Sequence, residues 1–211
     1  MPQAVFFDLD GTLYDKKGLA RRLILEALRR GRLSAGGPWR PLACLRMLAL
    51  ERKARRALAA AARSGAAGSE VSGYDALFGE IARRSGLSRE RVRAWYDQWY
   101  MPAMVGQLEK HYGPRRDVVA MAERYRAKGV KIAVLSDYGC VREKLEALRI
   151  HPEMFDALLD APSLGGFKPS PAVFLGACKS VDADPTQCVM VGDRPDTDGG
   201  CTAIGMEFIR I

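Results

Sequence analysis

Apolar runs and amphipathic stretches alternate at the two ends of this chain, and the alternation breaks off in the middle. The run Ala4–Phe7 predicts a strand. Residues 116–128 predict a helix closed by Gly129, residues 130–135 a strand, and residues 141–148 a second helix. Pro171–Ser180 reads as a further helix, with strands at 189–191 and 207–209. Apolar strands separated by helices indicate a mainly parallel sheet covered on both faces. The expected fold class is therefore α/β, a doubly wound, Rossmann-like sheet whose ligand site lies at the carboxyl ends of the strands.

Between about residues 14 and 112 the pattern is helical and rich in Arg and Ala. A helix over 16–30 ends at Gly31, and the Gly36-Gly37-Pro38 turn precedes a long helix over Pro41–Arg63. Residues 65–68 read as a linker, and the stretch 65–69 as a mobile loop. A helix over 72–84 closes at Gly86; Ser88 then caps one over 89–101, which Pro102 terminates. The change in pattern predicts an α/β core made of residues 1–14 and 105–211, with residues 15–104 inserted as an all-helical cap.

Charge divides the same way. The 211 residues carry +8 overall, but Asp15 to Arg115 holds 21 Lys and Arg against 9 Asp and Glu, a balance of +12, leaving −4 for the remainder. With 48% hydrophobic residues the chain can bury a sizeable core. No apolar run approaches the ~18 residues of a membrane span, and no basic leader with an apolar signal segment precedes the first strand, so a soluble, cytoplasmic protein without a membrane partner is expected. Cys44, Cys140, Cys178, Cys188 and Cys201 are odd in number, scattered and never in a C-x-x-C pair, which argues against a disulfide framework or a zinc site. Cys140 alone follows a candidate motif.

The chemistry concentrates where the first strand ends. In Val5-Phe6-Phe7-Asp8-Leu9-Asp10-Gly11-Thr12-Leu13, the acids at i and i+2 of an extended chain point to the same side, and Gly11 permits a turn. An Asp-Gly turn accounts for Asp10. It leaves Asp8 unexplained, since a carboxylate at the end of a buried strand is costly unless a cation or donors compensate it. Three more segments bring polar residues to the same rim: Ser136-Asp137 after Val134-Leu135, Lys168 after Gly166-Phe167, and Gly192-Asp193-Arg194-Pro195-Asp196-Thr197-Asp198 after the strand at 189–191.

This set, in this order, resembles the haloacid dehalogenase superfamily of hydrolases, in the phosphatase branch with a helical cap inserted after the first motif. Its signature is D-x-D-G-T, then a Ser or Thr, a Lys, and an acidic G-D-x-x-x-x-D segment. The resemblance implies Asp8 as the nucleophile, forming an acyl-phosphate, and Asp10 as the acid and base for the leaving oxygen and the attacking water. It implies Mg2+ held by Asp8, the main-chain carbonyl of Asp10, and Asp193. Ser136 would bond a phosphoryl oxygen and Lys168 would offset charge. Thr12 and Asp198 would support the site, Asp198 by orienting waters or Lys168. Asp196 has no assigned role.

Asp10 separates the reactions, because dehalogenases of this kind lack an acid there. The expected activity is hydrolysis of a small phosphate monoester such as a nucleotide or sugar phosphate. A sugar phosphomutase using the same core residues remains an alternative, as does a phosphonatase using Lys16, Lys17, Lys53 or Lys110 as a Schiff base. In the cap, Arg52, Arg56 and Arg63 share one helix face. They form either a solvated face or a stripe for acidic substrates. Trp95 and Trp99, with Tyr96 and Tyr100, form either cap core or a stacking surface for a flat leaving group. A non-catalytic protein binding nucleic acid through the basic cap is the competing class, opposed by the dispersal of the positive residues and the filling of every catalytic position. Oligomeric state is open.

Overall fold

The computed structural model describes residues 1–33, 40–64 and 73–211. The expected Gly36-Gly37-Pro38 turn and the mobile loop over 65–69 lie outside them.

Five parallel strands form one sheet in the order β3-β2-β1-β4-β5: β1 Ala4–Phe7, β2 Lys131–Ser136, β3 Ala157–Asp160, β4 Cys188–Gly192 and β5 Glu207–Arg210. Successive side chains of β1 serve opposite faces. Val5 and Phe7 join the core beneath α6 (Arg116–Ala127), α7 (Val141–Ala147) and the inserted helices, while Ala4 and Phe6 pack with Val173, Phe174 and Ala177 of α8 (Pro171–Ser180). All four residues of β1 are buried, as its unbroken apolar run requires.

The inserted part is helical: α1 Leu19–Leu33, α2 Pro41–Arg63, α3 Gly73–Ser85, α4 Arg89–Trp95 and α5 Met101–His111. The helix expected over 16–30 is displaced. Gly18 holds a left-handed φ of 79°, so α1 starts after it, and the helix runs through Gly31 because the buried stripe Leu19, Leu23 and Ala27 outweighs the ~1 kcal/mol a glycine costs. Nor does Pro102 end the last inserted helix. Residues Tyr96–Tyr100 widen into a π turn, with the Met101 N–H donating to the Tyr96 carbonyl, and the chain continues as α5 with Pro102 in its first turn. The wider turn relieves the clash a proline ring makes with the carbonyl four residues back.

The edge strand β3 is absent from the sequence prediction. Three apolar residues and an acid are too short to distinguish from loop; pairing with Ala133 to Ser136 makes them a strand. Correspondingly, Gly166-Phe167 is no strand end, and Lys168 follows a 3-10 turn at Pro162–Leu164. Among the described residues no helix is long and apolar enough to cross a membrane.

Candidate active site

Phe7 is in register with Val134 and Val191, so the residues after β1, β2 and β4 share one rim. The Asp8 N–H donates to the Val191 carbonyl at 2.9 Å, which anchors Asp8 to that edge. Its carboxylate accepts from Lys168 Nζ at 2.8 Å and from Thr12 Oγ1 at 2.9 Å. The chain then turns at Gly11, whose φ is 113°; a Cβ there would stand 2.6 Å from Asp193 Oδ2, so a side chain is excluded by both conformation and space.

Asp10 is also buried, and both of its oxygens are occupied. Tyr14 donates to Oδ1 at 2.7 Å, Ser136 Oγ to Oδ2 at 3.0 Å, and Lys144 Nζ to both, at 3.2 and 2.9 Å. Burial raises the carboxyl's affinity for a proton, but the charge and hydrogen bonds of Lys144, with those of Tyr14 and Ser136, overcome it and hold Asp10 below the ordinary carboxylate range. Asp10 is thus ionised at neutral pH.

Lys168 is fully buried among three carboxylates: Asp198 at 2.6 Å, Asp8 at 2.8 Å and Asp137 at 3.9 Å. Burial works to lower the lysine, yet the three acids together push it well above its usual range. One ammonium does not balance three acids. Burial therefore pushes Asp198 up to about 6 against the pull of Lys168, and raises Asp137 as well.

That surplus of negative charge suits a cation. Asp8, Asp193 and Asp198 present carboxylate oxygens within 4.8 Å of one another. Asp193 Oδ1 is buried with no hydrogen-bond partner among the described residues, while Oδ2 and the Asp10 carbonyl each lie 2.8 Å from Lys16 Nζ. Hard oxygen donors with an unsatisfied lone pair fit Mg2+. Asp198, like Asp8, has both oxygens engaged: Lys168 holds Oδ1, and the Arg194 N–H donates to Oδ2 at 3.1 Å.

The core residues expected at the rim are brought together there; of the candidate substrate residues Arg52, Arg56, Trp95 and Trp99, Arg52 alone lines the cavity that reaches Asp10. Trp95 and Trp99 are buried, with Trp95 stacked on Trp99 and Tyr100 at centroid distances of 6.0 and 5.0 Å, so they are core and offer no stacking surface. Apolar area drives them inward. Arg56 is exposed, and Arg63 donates to the Asp196 carbonyl at 3.4 Å. Arg52 is exposed too but lines a cavity beside Asp10. Asp196 is ion-paired with Arg194 at 2.7 Å. Burial raises the half-buried Cys140 thiol and so disfavours its thiolate.

Three residues near the site escaped the sequence reading. Lys144 stands where α7 should be apolar, between Val141 and Leu148, and a lysine in a buried stripe was the available signal. Arg55, in the buried stripe of α2 with Glu51, crosses from the cap to the Asp137 carbonyl at 2.5 Å and lies 4.0 Å above the Tyr138 ring. Tyr14, four residues after Asp10, carried no signal of its own.

Comparison with known proteins agrees with this geometry. A family model for haloacid dehalogenase-like hydrolases matches residues 2–200. The chain is 28% identical over 205 residues to N-acylneuraminate-9-phosphatase from Homo sapiens, covering 95% of this chain and 79% of that one. It is 28% identical over 220 residues to glyceraldehyde 3-phosphate phosphatase from Methanopyrus kandleri, covering 100% and 84%. Its fold is similar to a HAD phosphatase from Thermococcus onnurineus, with a TM-score of 0.66, 22% identity, and 99% and 86% coverage.

Proposed function

Because the chain belongs to the haloacid dehalogenase-like hydrolases, we propose that it is a Mg2+-dependent phosphate monoester hydrolase that forms an aspartyl-phosphate on Asp8. The observation that carries this reading is Asp10: a second buried carboxylate held by Ser136, Tyr14 and Lys144 at the same rim. A halide needs no proton to depart, whereas an alkoxide does.

In the first half-reaction an Asp8 oxygen bonds to phosphorus, the bond to the ester oxygen breaks, and a proton from Asp10 goes to the departing oxygen. In the second, Asp10 takes a proton from water, whose oxygen bonds to phosphorus and returns the Asp8 carboxylate. The ionised Asp10 in the structure is the form needed for the second half. A phosphoryl dianion arriving beside Lys144 and Ser136 competes for their hydrogen bonds and adds like charge, both of which favour the protonated form needed for the first. Lys168 offsets charge on Asp8, and Thr12 orients its second oxygen. Bound Mg2+, held by Asp8, the Asp10 carbonyl and Asp193, would polarise the phosphoryl oxygens and neutralise the surplus acids.

Residues 15–104 serve in this reading as a cap over the rim, tied down through Arg55. The relatives' names point to small phosphorylated metabolites, sugar phosphates among them, as the substrate class. Of the four lysines a phosphonatase could use, Lys16 is engaged with Asp193 rather than presented as a free amine. The test is hydrolysis of p-nitrophenyl phosphate with and without Mg2+. Release of inorganic phosphate that needs the metal and disappears in Asp8→Asn supports the proposal; no turnover across a broad panel of phosphate esters overturns it, and an isomerised sugar phosphate in place of released phosphate would mark a mutase.

A further inference from the structure

A cavity of about 550 Å³ opens from Asp10 into the space between the core and helices α1, α2 and α5. Where it meets Asp10, its lining includes the Asp10 partners Tyr14 and Lys16. That end is where the ester oxygen must lie if Asp10 is to protonate it, so the cavity is the place for the rest of the alcohol. Such a volume is within the range of sites that take a small organic molecule.

The walls away from Asp10 are unlike a sugar site. Eight of the fifteen lining residues are Ala, Leu, Ile or Met, among them Leu23, Ile24, Leu45, Leu48 and Met104, and three are tyrosines. A polyhydroxylated group placed there would give up hydrogen bonds to water and find few in return, at a cost per unmatched hydroxyl that apolar contact does not recover. The charged side chains along the wall beyond the rim are Glu51 and Arg52. Glu51 is buried and already paired with Arg55, which leaves Arg52 at the outside. Ile24, 43% exposed, continues the apolar lining towards the surface.

We infer that the preferred substrate is a phosphate monoester whose alcohol is predominantly apolar, an alkyl or aryl group filling this cavity, rather than a sugar phosphate. The inference rests on the phosphatase reading and narrows its substrate. It also departs from the two relatives, whose names give an N-acylneuraminate 9-phosphate and glyceraldehyde 3-phosphate.

The experiment compares kcat/KM of the Mg2+-loaded protein for hexyl phosphate and 1-naphthyl phosphate with that for glyceraldehyde 3-phosphate and ribose 5-phosphate. A series of straight-chain alkylphosphonates, which cannot be hydrolysed, serves as inhibitors. The apolar esters should lead by tenfold or more. Inhibition should tighten about fourfold per added methylene until the cavity is filled. Leu48→Glu, which puts a carboxylate in the wall, should shrink both effects several-fold; a thermal melt checks that the variant is folded, and the wild-type series decides the matter if it is not. Equal or better turnover of the polyhydroxylated esters, with inhibition flat along the alkyl series, overturns the inference and leaves the phosphatase reading intact. Absence of hydrolysis for every ester overturns that reading, and this inference with it.

Discussion

Lys144 Nζ lies 2.9 Å from Asp10 Oδ2, in a position with no measurable exposure, and joins the helix after β2 to the loop after β1. Four consequences of the site follow.

Replacing Lys144 by Met leaves burial as the dominant influence on Asp10, whose carboxyl then rises. Where hydrolysis of the aspartyl-phosphate limits turnover, the acidic limb of the kcat profile should move to higher pH, since Asp10 must be ionised to receive a proton from water in that half-reaction. Stability should change as well. Asp10 is depressed in the folded protein, so its pairing stabilises the fold above the ordinary carboxylate range, and that contribution is lost as the pH falls through the folded value. Removing one partner of a buried pair costs about 3–5 kcal/mol. Urea unfolding should therefore show a large deficit for Lys144→Met at pH 7 and a smaller one near pH 4.

Asp10→Asn removes the carboxyl proposed to carry the proton, and general acid-base catalysis is worth about 10²–10⁴-fold. The loss in kcat should be greatest for alkyl phosphates, whose alkoxides depart poorly, and smaller for p-nitrophenyl phosphate. An equal loss for both, measured under single turnover, would contradict an acid role.

Lys16 bridges the Asp10 carbonyl and Asp193, two of the three groups assigned to the metal. Lys16→Met removes a competing cation from those oxygens. Titration calorimetry should find Mg2+ binding several-fold tighter in this variant, most clearly at low ionic strength.

Trp95 is wholly buried and stacked on Trp99 and Tyr100. Trp95→Ala should cost about 3–5 kcal/mol of stability in chemical denaturation. Trp95→Phe, which keeps most of the apolar volume, should leave KM for p-nitrophenyl phosphate unchanged; a raised KM would return the indole to the substrate site.

Legibility in the sequence followed the range of the interactions. The four core motifs could be read because each lies at the end of a strand or on a short loop, where neighbouring residues determine geometry. β3 could not: its four residues become a strand only through pairing with β2. Arg52 and Arg56 shared a helical face with Arg63, as 100° spacing requires, yet a face does not say which neighbour it meets. The neighbouring stripe, with Glu51 and Arg55, is the one that turns inward.

By itself, then, the sequence determined the α/β class, the inserted helices, and the residues Asp8, Asp10, Thr12, Ser136, Lys168, Asp193 and Asp198 as one candidate site. These follow from strand periodicity, glycine turns and residue type, all of which are local. Only the tertiary structure decided that Lys144 pairs with Asp10, that Lys16 sits on the Asp10 carbonyl and Asp193, that the tryptophans are core, and that an apolar cavity adjoins Asp10. Each depends on side chains far apart in the chain meeting in a buried space, where desolvation and packing set charge and shape, and no local pattern carries that information.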